Sequence, residues 1–187
     1  MPVVVAAGYI GIELAEALPG RGLDVMLVEM APEPMSTLDP DMGAMVRTAM
    51  NGLGITIHSG ERVEAIETGH GKTAAAVVGT AVSKVCSLEI DRTGLKESEC
   101  ARAGFAHVTA TVKSTTRAGY FPGATTITTK LIAEKRSGRL LGGQIVGEEG
   151  AAKRIDAIAT ALWNEMTVEN MVNFDLSYAP PFAPSRC

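Results

Sequence analysis

The chain of 187 residues carries a net charge of −4 at pH 7, with acids and bases interspersed and no basic stripe of the kind that nucleic acid or an anionic membrane requires. With 46% hydrophobic but only 4% aromatic residues, it can bury one good core or two small ones, and it reads as two. The apolar run after Met1 is too short for a bilayer and has no positive n-region, which makes the cytoplasm the expected location. Cys86, Cys100 and Cys187 lack zinc or redox spacing, so no metal site is expected.

Val3-Val4-Val5 reads as a strand buried on both faces, and helical periodicity begins within a few residues of it. Between them lies Ala6-Ala7-Gly8-Tyr9-Ile10-Gly11, the spacing of the dinucleotide fingerprint G-x-G-x-x-G with Ala6 at its first glycine. Gly8 lets backbone approach a pyrophosphate, Gly11 lets the helix pack close to the strand, and the unpaired N–H groups of the helix start face the anion. Residues 23–28 form a second buried strand that ends in Glu29, the place of the acid that holds the adenosine ribose hydroxyls. A carboxylate there favours NAD over NADP. Ala6 adds a methyl group to a tight turn, and weakened binding is expected because a residue forced into a glycine-like conformation costs on the order of 1 kcal/mol or more.

A Pro-punctuated loop follows at 30–35, and Asp39-Pro40-Asp41 opens a helix whose Met42, Met45, Val46, Ala49 and Met50 share one face as core. Ile55 to His58 is a third strand, with His58 structural.

Residues 3–67 resemble the nicotinamide-dinucleotide-binding domain of the flavin-dependent pyridine nucleotide-disulfide oxidoreductases. The likeness runs through the 3–16 stretch, Leu27-Val28-Glu29, Gly54-Ile55-Thr56 and residues 63–67, and residues 72–78 are similar to that domain's return strand. There it breaks. In place of a last Rossmann strand and a flavin-gripping segment, residue 79 begins what looks like the family's C-terminal dimerisation domain, and the family's amino-terminal flavin domain with its active-site cysteine is not seen before Met1. The expected architecture is α/β: a partial Rossmann-type domain over 1–78, joined across a deletion to an α+β dimerisation domain over 79–187.

The second piece has its own pattern. Val82, Val85, Leu88 and Ile90 make one strand-like run that turns at Arg92-Thr93-Gly94, and residues 96–102 suit a short helix ended by Gly104. Residues 105–112 alternate as a half-buried strand. Two more strands, 127–134 and 140–147, flank a polar hairpin loop containing Gly138. Residues 151–166 form an amphipathic helix, whose Lys153 and Arg154 oppose the helix dipole and need a carboxylate or solvent. Thr167 caps a last short helix. The sum is an antiparallel sheet with helices on one face. Cys86 reads as a buried structural thiol.

Residues 147–156, the 117–123 segment Arg-Ala-Gly-Tyr-Phe-Pro-Gly and the run Phe174-Asp175-Leu176-Ser177-Tyr178-Ala179-Pro180-Pro181-Phe182 are similar to the coenzyme A-disulfide reductase and NADH-oxidase branch. That resemblance implies a homodimer through 79–187 in which Tyr178 and Tyr120 reach toward the partner's active site, where a phenol can donate to a developing thiolate. It also implies NAD and FAD as the family's cofactors, hydride passing from nicotinamide to flavin and then to a disulfide or oxygen. For this chain, whose flavin segments are not seen, the alternative is a catalytically inactive dimerising remnant that binds NAD weakly or not at all. A short-chain dehydrogenase is disfavoured, since no tyrosine is followed four positions on by lysine.

Overall fold

The structure, a computed structural model, describes residues 1–62 and 80–184. The segments 63–67 and 72–78 and Cys187 lie outside the described residues. The chain divides into two compact units, Met1–Val77 and Val78–Cys187.

In the first unit, strands β1 (Val3–Val5), β2 (Met26–Glu29) and β3 (Thr56–Ser59) run parallel in the order β1-β2-β3, with Val4 beside Leu27 and Leu27 beside Ile57. Helix α1 (Tyr9–Ala17) buries Ile12 and Ala15, and α2 (Pro40–Gly52) buries Met42, Val46 and Met50. These side chains join Val4, Val25, Leu27 and Ile55 among the buried apolar residues. The methionine stripe is therefore core. Pro40 occupies the first helical turn after Asp39, where its missing N–H costs nothing. Among the described residues β1 is an edge strand, with Val3 and Val5 on it and Ile10 and Leu14 on α1 exposed.

In the second unit, β4 (Ala81–Val85), β5 (Leu88–Gly94), β6 (His107–Thr115), β7 (Thr126–Glu134) and β8 (Leu140–Gly147) make an antiparallel sheet in the order β4-β5-β8-β7-β6. Helices α4 (Ile155–Trp163) and α5 (Val168–Val172) belong to one face of it. Gly143 allows Ile158 to approach there, and Ile127, Ile145, Ile155 and Ile158 form one core. The short α3 (Glu97–Arg102) packs Cys100 against Ile132, which alternation puts on the other face. Thr167 caps α5 as expected, its hydroxyl accepting from the Asn170 N–H.

Several local expectations change. With Val3 and Val5 exposed, β1 is not buried on both faces, and Cys86 is half-buried, not buried. The run 82–90 is two strands: the chain reverses at Cys86-Ser87, where Cys86 takes φ 57°, and Arg92 to Gly94 stays in β5. Strand β6 is longer than the alternation suggests and is not half-buried, with Val108 46% and Val112 54% exposed. It is the sheet's outer strand among the described residues, and side chains there have neighbours on one side only. Helix α4 starts at Ile155, and residues 151–154 form a turn ahead of it.

Candidate functional site

The glycine turn is built as its spacing demands. Ala6 sits at φ 84°, the left-handed region that favours glycine, and its N–H donates to Val28 O at 2.9 Å. A Cβ on Gly11 would stand 1.8 Å from Ala6 O, so only glycine lets α1 start this close to β1. Gly8 is different: its φ is −80° and a Cβ there would meet nothing within 4 Å. Open space lies over Gly8 at the N-cap of α1, where the unpaired N–H groups of the first turn are found. The residues present thus fit a dinucleotide pyrophosphate at Gly8, with Ala6 as the strained member of the turn.

Glu29 closes the same turn. Its carboxylate accepts the Ala7 N–H at 2.5 Å through Oε2 and the Ala31 N–H at 2.8 Å through Oε1. A carboxylate offers about four lone-pair directions, so two bonds leave capacity for ribose hydroxyls. Met35, buried at φ 57°, donates its N–H to Ala7 O at 2.7 Å, and the Thr37 hydroxyl donates to Tyr9 Oη at 3.4 Å. The structure brings Ala6, Ala7, Gly8, Gly11 and Glu29 together, with Tyr9 beside Thr37; Ile10 is exposed on the helix surface. Sequence reasoning missed Met35. Its role comes from backbone, and a positive φ at methionine leaves no trace in the residue type.

The second unit joins the two tyrosine segments. The Ala118 N–H donates to Pro180 O at 3.0 Å, pinning the loop between β6 and β7 to the C-terminal run. The Tyr120 and Tyr178 side chains lie near each other and both are exposed. Tyr120 beside it raises the Tyr178 pKa above its ordinary value of 10.0, with partial desolvation adding in the same direction. Arg154 supports the loop from below, donating to Thr115 O at 3.3 Å and to Thr116 O at 2.5 Å. Lys153 meets a carboxylate, Asp156, at 3.5 Å, as its helix position suggests. Arg117 Nη2 lies 3.7 Å from Glu149.

The model of the family described as pyridine nucleotide-disulphide oxidoreductase matches residues 2–83, and that of its dimerisation domain matches residues 80–186. The chain belongs to the pyridine nucleotide-disulphide oxidoreductases. Among relatives of this family, an "NAD(P)H sulfur oxidoreductase (CoA-dependent)" of Pyrococcus abyssi is 44% identical over 108 residues, 58% of this chain and 24% of that protein. An "NADH oxidase" of Methanocaldococcus jannaschii is 28% identical over 274 residues, 95% of this chain and 61% of that protein. The oxidoreductase fold is shared with an NAD-dependent persulfide reductase from A. fulgidus at a TM-score of 0.90 and 24% identity, covering 98% of this chain and 52% of that one. The chain thus spans a quarter to about three fifths of the curated relatives it matches. The alignment with the oxidase spans 274 positions against 187 residues here, so within the matched span that relative carries several tens of residues without a counterpart in this chain. The two family matches overlap at residues 80–83. No described helix is long and apolar enough to cross a membrane.

Proposed function

We propose that this chain is part of a flavin-dependent NAD(P)H oxidoreductase acting on coenzyme A-type disulfides or oxygen, with 1–78 as its nicotinamide-dinucleotide unit and 79–187 as the module that pairs two copies. The observation that carries the reading is the joining of two segments more than 50 positions apart by the Ala118 N–H to Pro180 O bond, which brings the exposed Tyr120 and Tyr178 near each other. Two phenols so placed can donate to a sulfur leaving group as it gains charge. In the first unit, Gly8 and the first turn of α1 receive the pyrophosphate and Glu29 takes the ribose hydroxyls, which selects NAD over NADP. Bound nicotinamide supplies hydride, and FAD is the acceptor implied by the family. The exposed Val108 and Val112 of β6 offer apolar surface for the second copy. The cytoplasm is the compartment this reading assigns.

A second reading is favoured by Ala6 at φ 84°, by the exposed Val3 and Val5 on β1, and by the residues of the oxidase that have no counterpart here. On this reading the chain is an inactive dimerising remnant that holds NAD weakly or not at all. Purified protein is tested for flavin absorbance, for NADH binding by calorimetry and for NADH-driven reduction of coenzyme A disulfide. Flavin and turnover support the first reading; a flavin-free dimer without turnover supports the second. A monomer with neither nucleotide binding nor turnover overturns both.

A further inference from the structure

Asp91 lies in the middle of β5, fully buried, and neither of its carboxylate oxygens has a hydrogen-bond partner. Its neighbours across the sheet are Val82 on β4 and Ile145 on β8, neither able to satisfy it. The charged groups around it are mostly of its own sign. Glu89 is two residues away on the same face of β5, and Asp156 stands in the first turn of α4; both act on Asp91 electrostatically. Lys84 of β4 is exposed and pairs in register with Glu89. Lys153 holds Asp156 on the exposed side, Arg154 donates to the Thr115 and Thr116 carbonyls, and the β8 residues Gly143, Ile145 and Gly147 carry no charge. Among the described residues neither Asp91 oxygen has a hydrogen-bond partner, so an ionised carboxylate here is without the paired cation that usually accompanies a buried charge.

The surrounding bonds give the site reach. Glu89 Oε2 accepts the N–H groups of Gly150 at 3.1 Å and Ala152 at 2.8 Å, fastening the turn before α4 to β5. The same turn ends in Arg154, which holds the loop that carries Tyr120, and that loop is tied through Ala118 to Pro180 near Tyr178. We propose that Asp91 is a proton-operated positioning residue: neutral, it lets the turn at 150–154 lie clamped on β5, and ionised, it repels Glu89 and Asp156, loosens the clamp and shifts the tyrosine pair. Burial, then Glu89, then Asp156 push its pKa up to about 7, which brings the change near neutrality. The consequence for Tyr120 and Tyr178 rests on the reading of that pair given above, whereas the loosening of the clamp does not.

The test is NMR on the full chain between pH 5 and 9, following the Gly150 and Ala152 amide protection factors and the Tyr120 and Tyr178 ring resonances. Wild type is expected to lose protection at both amides with one midpoint near 7, the ring resonances moving with it. Asp91→Asn removes the transition, and Asp156→Asn, which leaves Asp91 in place, moves the midpoint to lower pH. A pH-independent wild type overturns the proposal, as does an unchanged midpoint in either variant. Loss of amide protection with motionless rings overturns the link to the tyrosines and leaves the assignment of the tyrosine pair standing, because that assignment is read from turnover.

Discussion

Gly11 and the carbonyl of Ala6 meet with no room between them: a Cβ on the glycine would stand 1.8 Å from that oxygen. Gly11→Ala must therefore push α1 away from β1, and it is expected to cost about 3 kcal/mol, the upper range for overpacking. Ala6→Gly acts in the opposite sense. It relieves a φ of 84° at the expense of a more flexible unfolded chain, for a net gain of roughly 0.5–1 kcal/mol. Hydrogen exchange at Ile12 and Leu27 reads both effects within the first unit, and equal protection in the two variants would refute the argument.

Glu29 accepts two backbone N–H groups, those of Ala7 and Ala31. Glu29→Ala leaves both without their charged acceptor and is expected to destabilise the first unit by about 2–3 kcal/mol, while Glu29→Gln keeps one acceptor oxygen and costs about 1 kcal/mol. If the same carboxylate holds the ribose, NADH affinity falls about tenfold in the glutamine variant, the equivalent of one hydrogen bond. Calorimetry with NADH and with NADPH checks this. Equal affinity of wild type for the two nucleotides would remove Glu29 as the selector.

Val108 and Val112 stand on the same face of β6 and are about half exposed. Covered by a second copy, they become the centre of an apolar contact, so Val112→Arg is expected to shift sedimentation from dimer to monomer without lowering the melting temperature of the isolated subunit. A dimer that survives Val108→Arg and Val112→Arg together places the interface elsewhere.

Tyr120 beside Tyr178 favours the protonated Tyr178 phenol, so Tyr178 is expected to ionise at higher pH than a free tyrosine. Spectrophotometric titration of Tyr120→Phe should return the Tyr178 midpoint toward its ordinary value. An unchanged curve would show that the two hydroxyls do not meet in solution.

Periodicity and turn chemistry account for much of what the sequence made legible. The stripe from Met42 to Met50 is core, Thr167 is a cap and Gly138 takes its positive φ because each rests on interactions within a few residues. The misreadings share another cause. Cys86 takes a left-handed turn that glycine or asparagine would have advertised, so a hairpin looked like one strand. Alternation in β6 marks which side chains share a face, yet burial depends on whether an element covers that face, and none of the described helices buries Val112. At the sites, Gly8, Gly11 and Glu29 were readable because a known spacing ties each to a backbone requirement. Met35 acts through its N–H and Asp91 through its surroundings, and neither leaves a pattern in sequence.

Asp91 also predicts the shape of the pH–stability curve. Its pKa rises from 3.8, the value expected in the unfolded chain, to about 7 in the fold. Between those values the folded state binds the extra proton, so stability is greatest at the acid end of the window, declines as pH rises toward 7 and levels off above it. This is the reverse of a carboxylate held by a salt bridge. Asp91→Asn keeps the shape of the side chain and discards the charge, so it should match wild type near pH 4 and melt at higher temperature at pH 8, the gap widening steadily between. Thermal melts of the second unit at several pH values decide it: parallel curves for the two proteins would mean that Asp91 is ionised and accommodated in the fold, contrary to its unpartnered oxygens.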